Sequence, residues 1–104
     1  MSTAAIKDQA PQHGAWSLYL IECVDGSIYT GIAVDVAARY ALHARGKGAR
    51  CTRAHPPRRL LATVNYPDRS SALKAEYRIK QLSAAQKRAY AAEVSRGKVT
   101  ELAS

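Results

Sequence analysis

The feature that most constrains the fold is a pair of short apolar segments separated by a tight-turn signal. The first segment, residues 16–23, reads WSLYLIEC, and the second, residues 28–32, reads IYTGI. Between them lies the Asp25-Gly26 dipeptide, which is favoured in tight hairpin turns. This arrangement predicts a β-hairpin, so the sheet of this protein is expected to be at least partly antiparallel.

The next part of the chain carries the signals of one helix and a third strand. Asp35 can cap a helix over residues 36–44, and Gly46 and Gly48 would end that helix. Residues 60–65 read LLATVN and follow two prolines. They predict a third strand.

Two more helices follow this strand. Asp68 or Ser70 can cap a helix that ends near residue 82. Residues 83–86 read SAAQ, which matches a capping box and predicts a third helix to about residue 95. The predicted order is β-β-α-β-α-α, an α+β fold in which helices flank a small antiparallel three-stranded sheet.

The length of the chain allows one domain. With 104 residues and 47% apolar composition, it can bury a single core. Residues 1–14 lack periodicity and are expected to form a flexible leader, residues 15–96 the folded domain and residues 97–104 a tail. No apolar run approaches the roughly 20 residues that cross a bilayer. With only two cysteines, Cys23 and Cys51, a cytoplasmic protein with reduced thiols is expected.

The positive charge is concentrated in the middle of the chain. Sixteen Lys and Arg residues against eight Asp and Glu residues give a formal net charge of +8. The segment 36–67 contains no acidic residue, so we expect it to attract a polyanion, foremost a nucleic acid. A solvated loop that keeps a small protein soluble is the alternative. The basic residues of the segment are Arg39, Arg45, Lys47, Arg50, Arg53, Arg58 and Arg59.

One acidic residue falls at an unusual position. On a helical wheel of about 100° per residue, Glu76 lies inside the apolar sector of the helix that starts near Asp68. A carboxylate packed against a sheet is costly unless a cation or a metal ion pairs with it. The alternative is a partly exposed Glu76 that pairs with Lys80 one turn later.

Four further residues have side chains suited to phosphate chemistry. Arg39 and His43 are one helical turn apart and could clamp a phosphate, or they could be a surface arginine and a hydrogen-bonded histidine. Tyr19 and Tyr29 lie on the two hairpin strands, where packing in the core is the ordinary role of tyrosine. Gly31 follows Tyr29 closely, and a glycine inside a strand often marks a close backbone approach by a ligand.

Taken in chain order, these residues resemble the motifs of the GIY-YIG nuclease superfamily. Ser17-Leu18-Tyr19 stands ten residues before Tyr29-Thr30-Gly31, and Arg39, His43 and Glu76 follow. The resemblance extends from about residue 16 to residue 82. Serine, leucine and threonine replace Gly-Ile and Ile of the family's name-giving motifs, whereas the tyrosines and Gly31 are retained.

Three other segments resemble the small stand-alone bacterial branch of this superfamily. They are residues 25–31, residues 46–50 and residues 68–70, which read DGSIYTG, GKGAR and DRS. The resemblance implies a small antiparallel sheet flanked by helices, as the residue patterns also predict.

The resemblance also implies a reaction and a role for each candidate residue. Its members cleave phosphodiester bonds with a divalent metal ion, usually Mg²⁺. For this chain Mg²⁺ is therefore the expected ion, with Mn²⁺ as the second choice. Glu76 would hold the metal, and Arg39 would stabilise charge on the phosphate. Tyr19 would act as general base with support from Tyr29, and His43 would orient or deprotonate a tyrosine.

The sequence therefore predicts a metal-dependent DNA endonuclease that leaves a 5′-phosphate and a 3′-hydroxyl. DNA, whether single-stranded, duplex or branched, is the expected partner, and RNA is less favoured. DNA repair is one biological setting for such an enzyme. A protein partner or a homodimer is compatible with the sequence. A non-catalytic DNA- or RNA-binding module on the same scaffold is the alternative. The predicted nucleic-acid contacts are Arg45, Lys47, Arg50, Arg53, Arg58 and Arg59.

Overall fold

The computed structural model describes residues 15–97, and within them it shows an α+β fold. The three strands are β1 (Trp16–Cys23), β2 (Ile28–Ala33) and β3 (Pro57–Tyr66). They form one antiparallel sheet in the order β2-β1-β3. The helices are α1 (Val36–Ala44), α2 (Arg50–Ala54), α3 (Arg69–Lys80) and α4 (Ala84–Ser95). The predicted fold class is confirmed.

The hairpin forms where the sequence predicts it. Gly26 adopts a φ of 91°, in the left-handed region that a tight turn needs and that glycine reaches without strain. The backbone N–H of Ser27 donates to Oδ1 of Asp25 at 3.0 Å and closes the turn. The resulting register places Tyr19 opposite Gly31 in the neighbouring strand.

The predicted helix caps are also confirmed. Asp35 accepts a hydrogen bond from the backbone of Ala38, and Asp68 accepts one from the backbone of Ser71. Ser83 and Gln86 form both hydrogen bonds of a capping box. These caps satisfy amide groups that the first turn of a helix otherwise leaves unpaired.

The segment between α1 and the third strand differs from the sequence-based prediction. Residues 50–54 form the short helix α2, which the predicted order lacked, and β3 begins at Pro57 rather than at residue 60. A five-residue helix is too short to show an apolar period, so tertiary contacts decide its formation. Pro57 is tolerated because it is the first residue of its strand.

The two faces of the sheet carry different cores because side chains alternate along each strand. Leu18 and Leu20 pack against α3 and α4 through Ala72, Ala75 and Ala91. We call this face the helical face.

The opposite face carries Tyr19, Ile21 and Cys23, which pack with Tyr29 and with Tyr40 of α1. We call it the tyrosine face. Cys23 is buried, whereas the side chain of Cys51 lies outside the described part of the structure.

Two sequence-based predictions concern segments beyond residues 15–97. The proposed leader, residues 1–14, lies outside the described residues, and so does the tail apart from Gly97. Within the described part of the chain, no helix has the length and apolar character needed to cross a membrane.

Candidate active site

The tyrosine face contains a buried pair of side chains from β1 and α1. The hydroxyl oxygen of Tyr19 lies 3.0 Å from Nε2 of His43. Only 1% of Tyr19 and 2% of His43 is exposed. A hydrogen bond in such a water-poor place is electrostatically stronger than the same bond in solvent. This pair joins an imidazole, which can accept or donate a proton, to a buried phenol.

A threonine that the sequence analysis did not single out completes the surroundings of His43. Nδ1 of His43 lies 2.6 Å from Oγ1 of Thr52, and this hydroxyl donates to the carbonyl oxygen of Ala49 at 2.9 Å. Thr52 is 1% exposed. It lies on α2, so no sequence signal could single it out once that helix was read as loop.

Tyr29 and Arg39 lie around the Tyr19–His43 pair. The ring of Tyr29 is centred 5.0 Å from that of His43 and 6.1 Å from that of Tyr19. Tyr29 is half-buried, whereas Arg39 is exposed one turn before His43. The structure thus brings together four of the five catalytic residues expected from the sequence.

The environment sets the protonation of the central pair. Burial is the main cause that raises the pKa of Tyr19 far above its ordinary value of 10.0; the nearby phenol of Tyr29 adds to this, and Arg39 opposes it. Burial and the positive charge of Arg39 both lower the pKa of His43 below 6.5. At neutral pH, Tyr19 therefore keeps its proton and His43 is an uncharged proton acceptor.

Two glycines make room for these rings. A Cβ atom on Gly31 would lie 2.6 Å from the hydroxyl oxygen of Tyr19, and one on Gly48 would meet the ring of His43. Both distances are shorter than van der Waals contact allows. At Gly31, where the sequence predicted a close approach by a ligand, the close neighbour is the side chain of Tyr19, and the loop after α1 packs against His43 through Gly48.

Glu76 occupies a different position from the other predicted catalytic residues. It lies on α3, and this helix packs on the helical face through Ala72, Ala75 and Ile79. The Glu76 side chain is 17% exposed, and its carboxylate lies 3.3 Å from Nζ of Lys80. The ion pair is the one that the sequence offered as the alternative to a metal site, and the helix of Glu76 and the tyrosines lie on opposite faces of the sheet.

The donor set around Glu76 is compatible with only one kind of metal site. Within residues 15–97, no group of three or more His, Cys, Asp or Glu side chains comes together. Mg²⁺ commonly binds through one or two carboxylates, with water and substrate phosphate as its other ligands. A single carboxylate at Glu76 fits such a substrate-completed site and does not fit a preformed metal cage.

The basic residues predicted to bind nucleic acid are all exposed, but they lie on different elements and one of them, Arg59, is engaged in an ion pair. Arg45 and Lys47 follow α1, Arg50 and Arg53 lie on α2, and Arg58 lies on β3.

Arg59 has a different environment from these five. Its Nε donates to Glu22 at 2.7 Å, and Arg88 of α4 binds the other oxygen of the same carboxylate. These hydrogen bonds, first that of Arg88 and then that of Arg59, lower the pKa of Glu22. Arg59 therefore helps to tie β1 and β3 to α4.

The fold, together with the cluster of Tyr19, Tyr29, Arg39 and His43, is typical of one protein family. The model of the GIY-YIG catalytic domain matches residues 15–89. The chain belongs to the GIY-YIG nuclease superfamily, as the resemblance predicted.

Its relatives within the superfamily include proteins named UPF0213. The UPF0213 protein of Cupriavidus pinatubonensis is 54% identical over 79 residues, which cover 76% of this chain and 88% of that protein. The one of Cupriavidus necator is 54% identical over 80 residues, covering 77% of this chain and 87% of that protein. The solution structure of the UPF0213 protein BH0048 from Bacillus halodurans is 42% identical, with a TM-score of 0.48; it covers 75% of this chain and 83% of that one.

Proposed function

We propose that the protein is a metal-dependent DNA endonuclease that hydrolyses phosphodiester bonds. The observation that carries this proposal is the buried hydrogen bond between Tyr19 and the neutral His43. A buried phenol needs a hydrogen-bond acceptor, and here the acceptor is a neutral imidazole, which can also take up a proton. A tyrosine that takes a proton from water needs a group to which it can pass its own proton.

In this proposal Tyr19 and His43 move one proton in two linked steps. The phenol of Tyr19 gives its proton to Nε2 of His43, and the phenolate oxygen accepts a proton from the water that attacks phosphorus. The raised pKa of Tyr19 makes free phenolate scarce at neutral pH. Because Tyr19 can pass its proton to His43 within their hydrogen bond, the reaction does not need a population of free phenolate.

Arg39 and Tyr29 are proposed to act on the phosphate. The Arg39 guanidinium is exposed beside the buried pair, and its fixed charge can stabilise the extra negative charge of the pentacoordinate transition state. Tyr29 is half-buried in the same place and can donate its hydroxyl proton to water or phosphate. A bound Mg²⁺ ion, for which Mn²⁺ could substitute, would stabilise charge on the leaving oxygen. Glu76 is proposed as the residue that holds this ion.

The exposed bases between α1 and β3 are proposed to bind the DNA backbone. Phosphate contacts position a strand without reading its sequence. The bases concerned are Arg45, Lys47, Arg50, Arg53 and Arg58, with Arg59 placed last because its Nε is engaged by Glu22.

A non-catalytic DNA- or RNA-binding module is the second candidate, and one observation favours it. Glu76 pairs with Lys80 on a helix of the helical face, whereas catalysis needs its carboxylate near the tyrosines. Under the first proposal, Glu76 acts from beside the edge strand β2, which α3 contacts. Metal binding would have to replace the bond to Lys80.

A cleavage experiment with two matched variants separates the two candidates. Labelled single-stranded, duplex and branched DNA, and RNA, are incubated with the protein in Mg²⁺, Mn²⁺ or EDTA. We expect metal-dependent cleavage of DNA that Glu76→Gln abolishes while binding persists. Lys80→Ala, which removes only the partner of Glu76, should retain cleavage. Binding without cleavage of any substrate, or cleavage indifferent to Glu76→Gln, would establish that the proposal is wrong.

A further inference from the structure

The hydrogen bonds of Thr52 have a direction that the positions of the heavy atoms reveal. A threonine hydroxyl carries one proton and two lone pairs. Its contact with the carbonyl oxygen of Ala49 at 2.9 Å uses the proton, because a carbonyl oxygen can only accept. The lone pairs of Oγ1 are then left for Nδ1 of His43, 2.6 Å away. This short contact is favourable only when Nδ1 carries a hydrogen.

We infer that Thr52 is a positioning residue that holds His43 in the Nδ1–H tautomer, so that Nε2 presents its lone pair to the hydroxyl of Tyr19. A neutral imidazole has one N–H, so a proton on Nδ1 makes Nε2 the acceptor. The hydrogen bonds then run in one direction, from Tyr19 to His43 to Thr52 to the carbonyl of Ala49. The inference deepens the proposed function. The effect of Thr52 on catalysis rests on that function, whereas the tautomer of His43 can be established independently of it.

The packing around the imidazole keeps the ring in this orientation. The backbone at Gly48 lies so close that a Cβ atom there would overlap Nδ1. Tyr29 lies against the ring from β2, and Tyr19 lies against it from β1. Arg39, on the same helix as His43, is the charged group acting on the ring. A 180° flip would exchange Nδ1 and Nε2 for ring carbons and break both hydrogen bonds.

The arrangement also balances the proton transfer in the proposed reaction. When Nε2 accepts the proton of Tyr19, the ring carries two N–H groups and a positive charge. The Nδ1–H bond to Thr52 persists, and the N–H now on Nε2 points at the phenolate. The phenolate takes a proton from the attacking water, so the water's proton replaces the one that Tyr19 gave up. Thr52 neither gains nor loses a proton.

The tautomer can be measured without any nuclease activity. In the full-length protein at neutral pH, two-bond ¹⁵N–¹H spectra of the His43 ring distinguish a protonated nitrogen from a bare one. We expect a protonated Nδ1 and a bare Nε2 in the wild type. An Nε2–H tautomer in the wild type would overturn the inference, whether or not the variants fold.

Two threonine-to-valine substitutions provide a matched comparison for the same spectra. Thr52→Val removes the acceptor of Nδ1–H and should shift His43 toward the Nε2–H tautomer. Thr30→Val makes the same chemical change at a buried threonine whose hydroxyl has no hydrogen-bond partner among residues 15–97. Thr30 lies at the strand position that pairs with Leu20 of the helical face. The His43 spectrum of Thr30→Val should match the wild type. An unchanged tautomer in Thr52→Val would also contradict the inference.

The cleavage assay then tests the consequence for catalysis. We expect Thr52→Val to lower kcat at least about tenfold with little change in KM or DNA binding, because only proton transfer is affected. Thr52→Ser keeps the hydroxyl and should restore most of kcat. If no DNA is cleaved by the wild type, the proposed function fails while the tautomer result still decides the role of Thr52.

Discussion

At the scale of single residues, the site is built from two groups whose pKa values move apart. Burial raises the pKa of the Tyr19 phenol and lowers that of the His43 imidazole. The sequence could identify both residues, because the tyrosine motifs and the Arg39–His43 spacing are visible in it. It could not give their 3.0 Å hydrogen bond, which depends on how α1 packs on β1.

The lowered pKa of His43 can be measured by NMR titration of its ring. We expect a midpoint below 6.5, and in Arg39→Gln a midpoint closer to 6.5, because the second cause of the shift is removed. Burial, the larger cause, should keep it below 6.5 even then. A wild-type midpoint at or above 6.5 would show that the imidazole is not the neutral acceptor described above.

The same shift fixes the direction of two pH dependences. The cleavage rate should rise with pH through the lowered pKa of His43, since the neutral ring is the acceptor. The imidazole of His43 binds a proton more readily in the unfolded chain than in the folded one. The contribution of His43 to the free energy of unfolding is therefore complete above pH 6.5 and is lost as the pH falls through the lowered pKa of the folded state.

Thr30 is a buried polar residue that we expect to reduce stability. It is 2% exposed, and its hydroxyl has no hydrogen-bond partner among the described residues. An unpaired buried hydroxyl costs roughly 1–3 kcal/mol. Thr30→Val should therefore raise the free energy of unfolding by about 1 kcal/mol, measured by urea denaturation. Thr52→Val, which removes a bonded hydroxyl, should lower it, and a loss of stability in Thr30→Val would contradict this reading.

At the scale of secondary-structure elements, the sequence predicted what local signals specify. The Asp25-Gly26 turn and the caps at Asp35 and Ser83 are chemical features of a few neighbouring residues, and all three form. Helix α2 carries no such signal, because it is only five residues long, and its contact with α1 includes the hydrogen bond between Thr52 and His43. The part of the site that was missed is therefore the part that tertiary packing creates.

The loop between α1 and α2 offers two glycines with different roles. Gly46 has a φ of 76° with open space around it, whereas a Cβ atom on Gly48 would overlap His43. Gly46→Ala should cost about 1–2 kcal/mol of stability from backbone strain and leave the His43 signals in place. Gly48→Ala should cost about 1–3 kcal/mol and also displace those signals. Urea denaturation and NMR test this, and the account fails if Gly48→Ala leaves His43 unperturbed.

At the scale of the whole molecule, the positive charge is divided between arginines that pair within the fold and bases that are exposed. Arg59 and Arg88 bind Glu22 and connect the sheet to α4. Five other bases, Arg45, Lys47, Arg50, Arg53 and Arg58, are exposed and lie from the end of α1 to the start of β3. From the sequence alone, Arg59 cannot be distinguished from the other bases of its segment, because Glu22 lies 37 residues from it and 66 residues from Arg88.

The salt dependence of DNA binding tests this division. The logarithm of the binding constant should fall linearly with the logarithm of salt concentration. Lys47→Ala and Arg50→Ala should each reduce the slope by about 1. Arg96→Ala serves as the control, because Arg96 caps α4 and pairs with Glu93. Equal effects of all three substitutions would mean that binding is a diffuse property of the net charge.

The central claim is that Tyr19 and His43 move the proton of an attacking water molecule. It is tested most directly by the single-turnover cleavage rate of Tyr19→Phe, measured with saturating Mg²⁺ and enzyme in excess over DNA. Phenylalanine keeps the ring and removes the hydroxyl that bonds to His43. We expect the rate to fall by about 100-fold or more with DNA binding unchanged. A Tyr19→Phe protein that cleaves at the wild-type rate would contradict the account.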